Sequence, residues 1–443
     1  MNGKIIKLLN LYYIFTILFY CFGKWNWNIP SYPKLIIYLI ICYLCLNLGY
    51  RIYDKKKKNK KIYENNNSAE AGYNSLKILF RISSLLLIIF QIAWVCVFLN
   101  KFSITNVFET LGSNYYERLN TTFESTVFIM QLRTITWGLT FFSYPIGFLY
   151  FKQMKTPDRV LLFITIITDC LAALNMGVSK NIGDIAIISI AVLFLSGRQK
   201  QKHKKESNKS KRITVCLLLL FLILFGKIQD IRSDYKQEVI NPYGNFATIN
   251  EMTPYYVIFG QNSGVSKIID KIGGYTSNSY TGLAYALETP YENTYLIGAS
   301  RALMEYAEQY LHINVRENTY NYRIEKEYGW KDGQWWPTAM VWMANSVSFY
   351  GVPIVLLFIG MFIRKLEIEY MEKHNIISAV VYGQLLIMLF YLPCNMQILQ
   401  SRQALMGFIL LLILYLFRNK IFKSDKFNNQ IIEERKIKAN KAC

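Results

Sequence analysis

Long apolar runs nearly devoid of charge constrain this chain more than any other feature of its sequence. The runs alternate with short clusters of Lys and Arg, and 53% of all residues are hydrophobic. An apolar run of about 20 residues crosses a bilayer as a helix. The pattern predicts an all-α polytopic membrane protein with about ten transmembrane helices. The ten runs lie at residues 5–23, 33–50, 77–100, 126–150, 160–178, 183–197, 213–227, 338–363, 376–394 and 403–418.

These runs divide the chain into four parts with different expected surroundings. Residues 1–227 hold seven N-terminal spans, and residues 337–418 hold three more. Between them, residues 228–336 form the longest loop, the one segment large enough to fold outside the lipid. A basic tail, 419–443, follows the last span. The first span lacks a small-residue cleavage site and others follow it, so a cleaved signal peptide is not expected.

Clusters of basic residues predict the orientation of the spans. Segment 51–61 holds seven Lys and Arg, segment 198–212 holds eight and segment 418–443 holds eight. All three fall on one side of a ten-span chain, and loops rich in Lys and Arg stay in the cytoplasm. Both termini are therefore expected inside. Because the clusters are short and adjoin span ends, they favour contact with anionic lipid and argue against a nucleic-acid partner.

The large loop, 228–336, differs in charge from the rest of the chain. It carries nine Lys and Arg against thirteen Asp and Glu, a net charge of −4 in a chain of net charge +21. Residues 266–287 predict two short helices separated at Gly273 and Gly274. Residues 298–311 carry apolar side chains at helical spacing and predict an amphipathic helix. Since the loop has no Cys, disulfides and Cys-based zinc sites are unavailable there, and a mostly helical extracytoplasmic cap is expected.

Aromatic residues are concentrated in this cap. It holds fourteen of the chain's 33 Tyr, and the segment YNYRIEKEYGWKDGQWW, 320–336, adds three Trp. Tyr and Trp have an apolar face and a polar edge, which suits both the lipid interface and the faces of sugar rings. We expect Trp335 and Trp336 to lie at the interface. The candidates for sugar binding are Tyr280, Tyr320, Tyr322 and Trp330.

Cations near the outer ends of the spans predict an anion-binding site. A charge inside a span costs roughly 2.5–3.5 kcal/mol, so it commonly lines a cavity or has a partner. Lys180 and Asp184 are four residues apart and pair if they lie on a helix. A lipid-linked diphosphate is the expected anion, and arginine binds phosphate oxygens through two parallel hydrogen bonds. The candidates for diphosphate binding are Arg133, Lys180, Arg301 and Arg402.

A transfer to a sugar hydroxyl requires a general base. Glu325, two residues from Arg323, is the preferred candidate, and His312 is the single His of the cap. Other carboxylates remain open as candidates. These are Glu288, Glu317 and Glu327. The cap has no Asp-x-Asp pair and the first outer loop has no acid, so chemistry without a metal is expected.

Several local patterns resemble those of a known family. The segment 278–303 contains a Gly-Leu-x-x-Ala-Leu core followed by an aromatic-rich stretch, and 320–330 contains Tyr-x-Tyr-Arg-x-Glu ending in Gly-Trp. Two turns complete the order of patterns that the family shows along its chain. GVSKN, 177–181, comes before these two segments, and PCNMQ, 393–397, comes after them. With the layout of spans, these patterns resemble O-antigen and capsular polysaccharide polymerases of the Wzy type, in the branch called oligosaccharide repeat unit polymerases. Lys180 departs from that pattern, which has an arginine at this position.

The resemblance implies a fold, a reaction and partners. The family resembles the O-antigen ligases in fold and belongs with the GT-C class. Its members join repeat units carried on undecaprenyl diphosphate at the outer face of the bacterial cytoplasmic membrane, without metal or cofactor, and act beside flippases and chain-length regulators. Carried over by position, Arg323 matches the motif best as a catalytic residue. Arg301 follows the aromatic stretch, and Lys180 and Arg402 come from the two outer turns.

Three other functions share some of these sequence features. A ligase that moves finished glycan to another acceptor shares most of these features. A flippase or transporter predicts short loops and repeated spans, whereas this chain has a long outer loop and no visible repeat. An O-acyltransferase would need a histidine within the membrane, and both His203 and His374 are expected in the cytoplasm.

Overall fold

The apolar runs form a bundle of helices in the computed structural model, which describes residues 3–57, 69–120, 128–196, 223–232 and 241–418. The predicted basic tail 419–443 and basic loop 198–212 lie outside these residues, as do most of the predicted span 213–227 and part of the basic loop 51–61. The helices of the first half are α1 Lys4–Phe22, α2 Tyr32–Lys57, α3 Ala69–Leu99, α4 Leu111–Asn120, α5 Phe128–Thr140, α6 Ser143–Leu149, α7 Thr156–Asn175 and α8 Lys180–Ser196.

The second half forms the cap and the closing helices. Residues 223–232 form α9, and residues 402–418 form α17. Between them lie α10 Pro254–Phe259, α11 Gly264–Ser277, α12 Ser279–Ala286, α13 Arg301–Leu311, α14 Tyr320–Tyr328, α15 Ala339–Lys373 and α16 Ile376–Phe390.

Four described helical segments are long and apolar enough to cross a membrane. They are Lys4–Phe22, Tyr32–Asp54, Tyr73–Leu99 and Ala339–Lys373, and α16 is a shorter apolar helix. The chain thus has the helices of a membrane protein. The predicted run 126–150 is divided between α5 and α6. The full set of ten spans stays a prediction.

Helices α2 and α15 pack so closely that their backbones touch. A Cβ atom on Gly49 would lie 1.9 Å from the Leu357 carbonyl oxygen, and one on Gly360 would lie 2.1 Å from the Leu46 oxygen. Without side chains at these two positions, the helices approach to van der Waals contact of their main chains, as small residues allow in membranes. The pair forms the framework on which the cap rests.

An ion cluster joins the same two helices at the opposite end from the cap. The Arg364 guanidinium, 1% exposed, donates to Asp54 and, at 2.7 Å, to Glu367. The Tyr50 hydroxyl donates to Glu367 at 2.5 Å. Because each buried charge has opposite-charge partners, the cost of desolvating them is offset.

A two-stranded sheet ties the first outer loop to the cap. Strand β1, Trp25–Trp27, pairs antiparallel with β2, Ala247–Ile249, with Asn26 opposite Thr248. Trp25 and Trp27 are buried against Tyr243. The cap is therefore helical with one small sheet, which the sequence did not predict.

The predicted break at Gly273 and Gly274 is wrong. Helix α11 continues through both glycines to Ser277, and α12 begins at Ser279. A Cβ on Gly273 would lie 1.8 Å from the Phe19 ring. The glycine therefore provides space for α1 to pack against α11, and it does not end the helix.

Helix α15 has a break near its start. Ser348 has φ 59° and ψ 169°, which no helical residue adopts, and Pro353 follows within the helix. Every residue from Ala339 to Asn345 is buried. The segment 339–347 thus belongs structurally to the base of the cap, and the apolar helix proper begins after Ser348.

Candidate functional site

A cavity of about 450 Å³, here called the cap cavity, lies between α13, α14 and the start of α15. Its volume falls in the range of ligand-binding pockets. Its lining mixes carboxylates, arginines, amides and two aromatic rings. The lining residues are Arg301, Met304, Glu305, Glu308, Asn314, Val315, Arg316, Thr319, Asn321, Tyr322, Glu325, Asp332, Gly333 and Trp342.

Three of the predicted site residues meet in this cavity. They are Arg301, Tyr322 and Glu325. Arg301 is the first residue of α13, whose N-cap Ser300 accepts a hydrogen bond from the Leu303 N–H. Tyr322 and Glu325 come from α14, which ends at Gly329 in the left-handed conformation. Two capped helices therefore fix the positions of these side chains.

The position of Arg323 follows from the geometry of α14. Residues three apart share a face of a helix, whereas residues one or two apart do not. Tyr322 and Glu325 accordingly line the cap cavity, but Arg323 points elsewhere. Its guanidinium donates to the Pro290 carbonyl at 2.7 Å and pairs with Glu292 at 3.1 Å. The expected closeness of Arg323 and Glu325 in one site is not observed.

Arg301 reaches the cavity with a carboxylate partner. Its guanidinium pairs with Asp332 at 2.5 Å and lies over the Trp342 ring, 5.8 Å from the centroid. Asp332 also accepts from the Asn321 amide at 3.0 Å, and its own N–H donates to the Glu325 carboxylate at 3.3 Å. Asp332 thus links the predicted cation to the predicted base.

A buried amide, Asn345, supports this arrangement from below. The Asn345 side chain accepts from the Tyr320 N–H at 2.8 Å. It donates to the Gly298 carbonyl and to the Asn321 amide oxygen, each at 3.0 Å. With 1% of its surface exposed, Asn345 connects the loop before α13, the helix α14 and the base of the cap.

Trp342 contributes an unsatisfied donor to the cavity wall. The side chain is 1% exposed, and its indole N–H has no hydrogen-bond partner among the described residues. A buried donor without a partner costs free energy, commonly about 1–3 kcal/mol. A ligand oxygen that reached this N–H would recover that cost.

Arg402 approaches the cavity from outside. It pairs with Glu305, a lining residue, at 3.0 Å, donates to Gln309 at 3.3 Å and lies over the Tyr306 ring. The Ser300 hydroxyl also donates to the Leu399 carbonyl. The turn before α17 is therefore attached to α13.

Arg316 is the cavity cation that carries no partner within the described part of the chain. It belongs to a short turn, Arg316–Asn318, and is exposed.

Four residues of the cavity lining were not among the predicted site residues. They are Asp332, Asn321, Trp342 and Arg316. The residue that supports them, Asn345, is marked in the sequence only as a polar side chain within the apolar run 338–363.

Three predicted sugar-binding residues are buried. Tyr280 and Trp330 have 0% exposure, and Tyr320 has 3%. The Tyr280 hydroxyl bonds to Thr16 and Tyr43, each at 2.8 Å. Burial raises the pKa of Tyr320 to about 12. These rings pack in the protein interior, so sugar contact at these three positions is inconsistent with this structure.

Trp330 and Trp335 pack together, 5.1 Å apart, and both contact Phe246. Trp336 is 37% exposed, and its place at the lipid interface stays a prediction. His312, a predicted base, ends α13 in the left-handed conformation with an exposed side chain. It lies two residues before the cavity wall at Asn314 but does not line the cavity.

A second, smaller cavity of about 110 Å³ lies among the bundle helices and is here called the bundle pocket. Lys180 lines it and pairs with Asp184 at 2.5 Å, as their spacing predicts. Asp169 accepts hydrogen bonds from Gln91, Tyr144 and Asn181 at 2.5–2.7 Å. Lys180 and the cap arginines therefore belong to different cavities.

Arg133 lies near the bundle pocket and interacts electrostatically with Asp169, but it forms no close ion pair in the described ranges. Its guanidinium stacks against the Trp94 and Trp137 rings, 5.0 and 4.5 Å from their centroids. It is 8% exposed, and its Nε forms no hydrogen bond with a described residue. Cation–π contact replaces the ion pair here.

The structure thus separates the predicted diphosphate-binding residues into two groups. Arg301 lines the cap cavity and Arg402 reaches it through Glu305, whereas Lys180 and Arg133 lie in or near the bundle pocket. Among the described residues, no group of three or more His, Cys, Asp or Glu is placed to hold a metal ion. Comparison of the chain with protein-family models, curated proteins and solved structures finds no match.

Proposed function

We propose that the chain is a polysaccharide polymerase of the bacterial cytoplasmic membrane, acting on repeat units linked to undecaprenyl diphosphate. The observation that carries this proposal is the cap cavity, where Arg301, Glu325 and Tyr322 line one space beside the start of α15. Cations suit a diphosphate, a carboxylate suits proton transfer, and the half-buried ring of Tyr322 suits a sugar face.

Each group has a role in the proposed transfer. The acceptor hydroxyl attacks the anomeric carbon of the growing chain, forming a C–O bond while the bond from that carbon to the phosphate oxygen breaks. Glu325 takes the hydroxyl proton. The lipid diphosphate leaves with the bonding electron pair, and Arg301 and Arg316 stabilise its negative charge.

Glu325 is suited to accept this proton because its carboxylate is only lightly engaged. Its one hydrogen bond to a described residue comes from the Asp332 N–H, at 3.3 Å, and its side chain is exposed. Arg323, in contrast, holds the 290–292 loop against α14. In this proposal, Arg323 is a positioning residue.

The test replaces Arg301 and Arg323 separately with Ala in cells that depend on this chain for their surface glycan. We expect Arg301→Ala to reduce chain elongation about a hundredfold, the usual cost of a lost charge-stabilising donor, while single repeat units persist on the lipid carrier. Arg323→Ala should retain more elongation. Lys267→Ala, an exposed cap cation away from the cavity, is the matched control and should leave chain length unchanged.

Two outcomes would contradict the proposal. If Arg301→Ala, present at normal level in the membrane, still produces long chains, the cap cavity is not the polymerase site. If elongation is normal and only transfer of finished glycan to a final acceptor fails, the chain is a ligase.

A transporter of lipid-linked glycan is the second candidate, and the bundle pocket favours it. Ionisable groups among membrane helices commonly mark transport routes and proton relays. Asp169→Asn keeps the hydrogen-bonding shape of the side chain and removes its charge. If this variant strands single repeat units at the inner membrane face, the transporter is supported; normal delivery with normal elongation would exclude it.

A further inference from the structure

The charge of the cap cavity limits the glycans that it can accept. Four carboxylates line it but only two arginines. The carboxylates are Glu305, Glu308, Glu325 and Asp332. A cleft lined by an excess of one sign of charge favours ligands of the opposite charge.

Ion pairs formed by the lining residues leave part of the negative charge of the cavity unneutralised. Arg301 neutralises Asp332, and Arg402, from outside the cavity, neutralises Glu305. The Glu308 carboxylate forms no ion pair or hydrogen bond with a described residue. The Glu325 carboxylate accepts one hydrogen bond from a described residue, which the backbone N–H of Asp332 donates. Two unneutralised carboxylates therefore face a single unpaired cation, Arg316.

The wall offers a sugar further contacts that do not depend on charge. Asn314 lines the cavity with an exposed side chain, and its amide can form hydrogen bonds with sugar hydroxyls. Tyr322, which is half-buried, provides an aromatic face. These groups recognise a sugar ring, and Glu308 and Glu325 select its substituents.

We infer that the cap cavity selects repeat units with neutral or amine-bearing sugars and rejects those with carboxylate-bearing sugars; this inference rests on the proposed function. A protonated amine would donate charge-assisted hydrogen bonds to Glu308 or Glu325. A uronic acid in the same place would meet like charge.

Binding of three matched trisaccharides to the full chain in lipid nanodiscs tests this. The probes share the β1–4 gluco backbone: cellotriose is neutral, the glucosamine trimer is cationic at slightly acidic pH, and the glucuronate trimer is anionic. We expect the glucosamine trimer to bind at least about tenfold more tightly than the glucuronate trimer, as for a charge-assisted hydrogen bond. The ratio should shrink as salt rises.

Two variants test whether Glu308 and Glu325 cause the preference for cationic over anionic sugars. Glu308→Gln and Glu325→Gln should each lower the cationic-to-anionic ratio several-fold. Glu308→Gln, which changes no group of the proposed transfer, should also leave cellotriose binding within about twofold. Glu317→Gln is the control, because Glu317 is an exposed cap carboxylate that does not line the cavity. It should leave the ratio unchanged.

The results separate this inference from the proposed function. If the glucuronate trimer binds as tightly as the glucosamine trimer, or if the two variants leave the ratio unchanged, the charge selection is wrong although the cavity still binds glycan. If no trisaccharide binds and Arg301→Ala also elongates chains normally, the proposed function itself fails.

Discussion

Single residues decide whether the cap cavity keeps its shape, and Asn345 is the clearest case. It satisfies groups from three separate segments while it is itself buried. Hydrophobic substitution cannot replace these bonds because the partners would remain buried. The residue therefore acts on function through Asn321 and Tyr320, which it holds in place.

Replacement of Asn345 with Ala should destabilise the protein by about 3 kcal/mol, because several buried polar groups lose their partner. The measurement is the thermal midpoint of the purified chain in detergent. Asn318→Ala is the matched control: its amide makes one hydrogen bond, to the Asn293 carbonyl at 3.1 Å, at the surface. Equal shifts for the two variants would show that Asn345 is not the central support.

Elements differ in how well the sequence predicts them. The amphipathic pattern of 298–311 predicts a helix, and α13 forms there because its caps and its apolar face agree. The Gly-Gly pair predicts a break, yet α11 continues, since the reason for Gly273 is a contact with Phe19 that lies far away in sequence. Local signals report local structure and miss distant packing.

The same limit applies to the site. Charge and aromatic character mark Arg301, Tyr322 and Glu325 in the sequence, and these three line one cavity. The sequence alone could not show that Asp332 neutralises Arg301 or that Arg323 faces the 290–292 loop, since both facts depend on tertiary contacts and on helix phase. Tyr280 was misassigned because a tyrosine suits a sugar and a buried hydroxyl network equally well.

The break in α15 provides a test at the scale of one element. The backbone of Ser348, with φ 59° and ψ 169°, lies in a region that glycine enters easily and other residues enter at a cost of about 1–3 kcal/mol. Ser348→Gly should therefore raise stability by about 1 kcal/mol. Ser348→Ala should bring no gain. A loss of stability on glycine substitution would contradict the strained break.

At the scale of the whole molecule, the distribution of charge and the fold predict the same orientation across the membrane. The cap cavity belongs to the acidic loop 228–336, and the Arg364 cluster lies at the other end of the α2–α15 pair, where it includes Asp54 of the basic segment 51–61. Because basic loops remain in the cytoplasm, this arrangement predicts that the cap cavity opens outside the cell.

Cysteine labelling in intact cells checks this orientation. Lys267→Cys, exposed on α11, should react with a membrane-impermeant maleimide, whereas Lys155→Cys, exposed just before α7, should react only after permeabilisation. Wild-type protein gives the background, since its described cysteines are buried or half-buried. Labelling of Lys155→Cys in intact cells would reverse the predicted topology.

The pairing of Arg301 with Asp332 and of Arg402 with Glu305 has a kinetic consequence. A phosphate group that binds these arginines does so by exchange, since it must displace a carboxylate that is already in place. In the proposed polymerase, the same carboxylate would compete for the arginine after sugar transfer and speed departure of the spent carrier. Under that proposal, the site trades tight retention for rapid turnover, which suits a reaction that repeats once for every unit added.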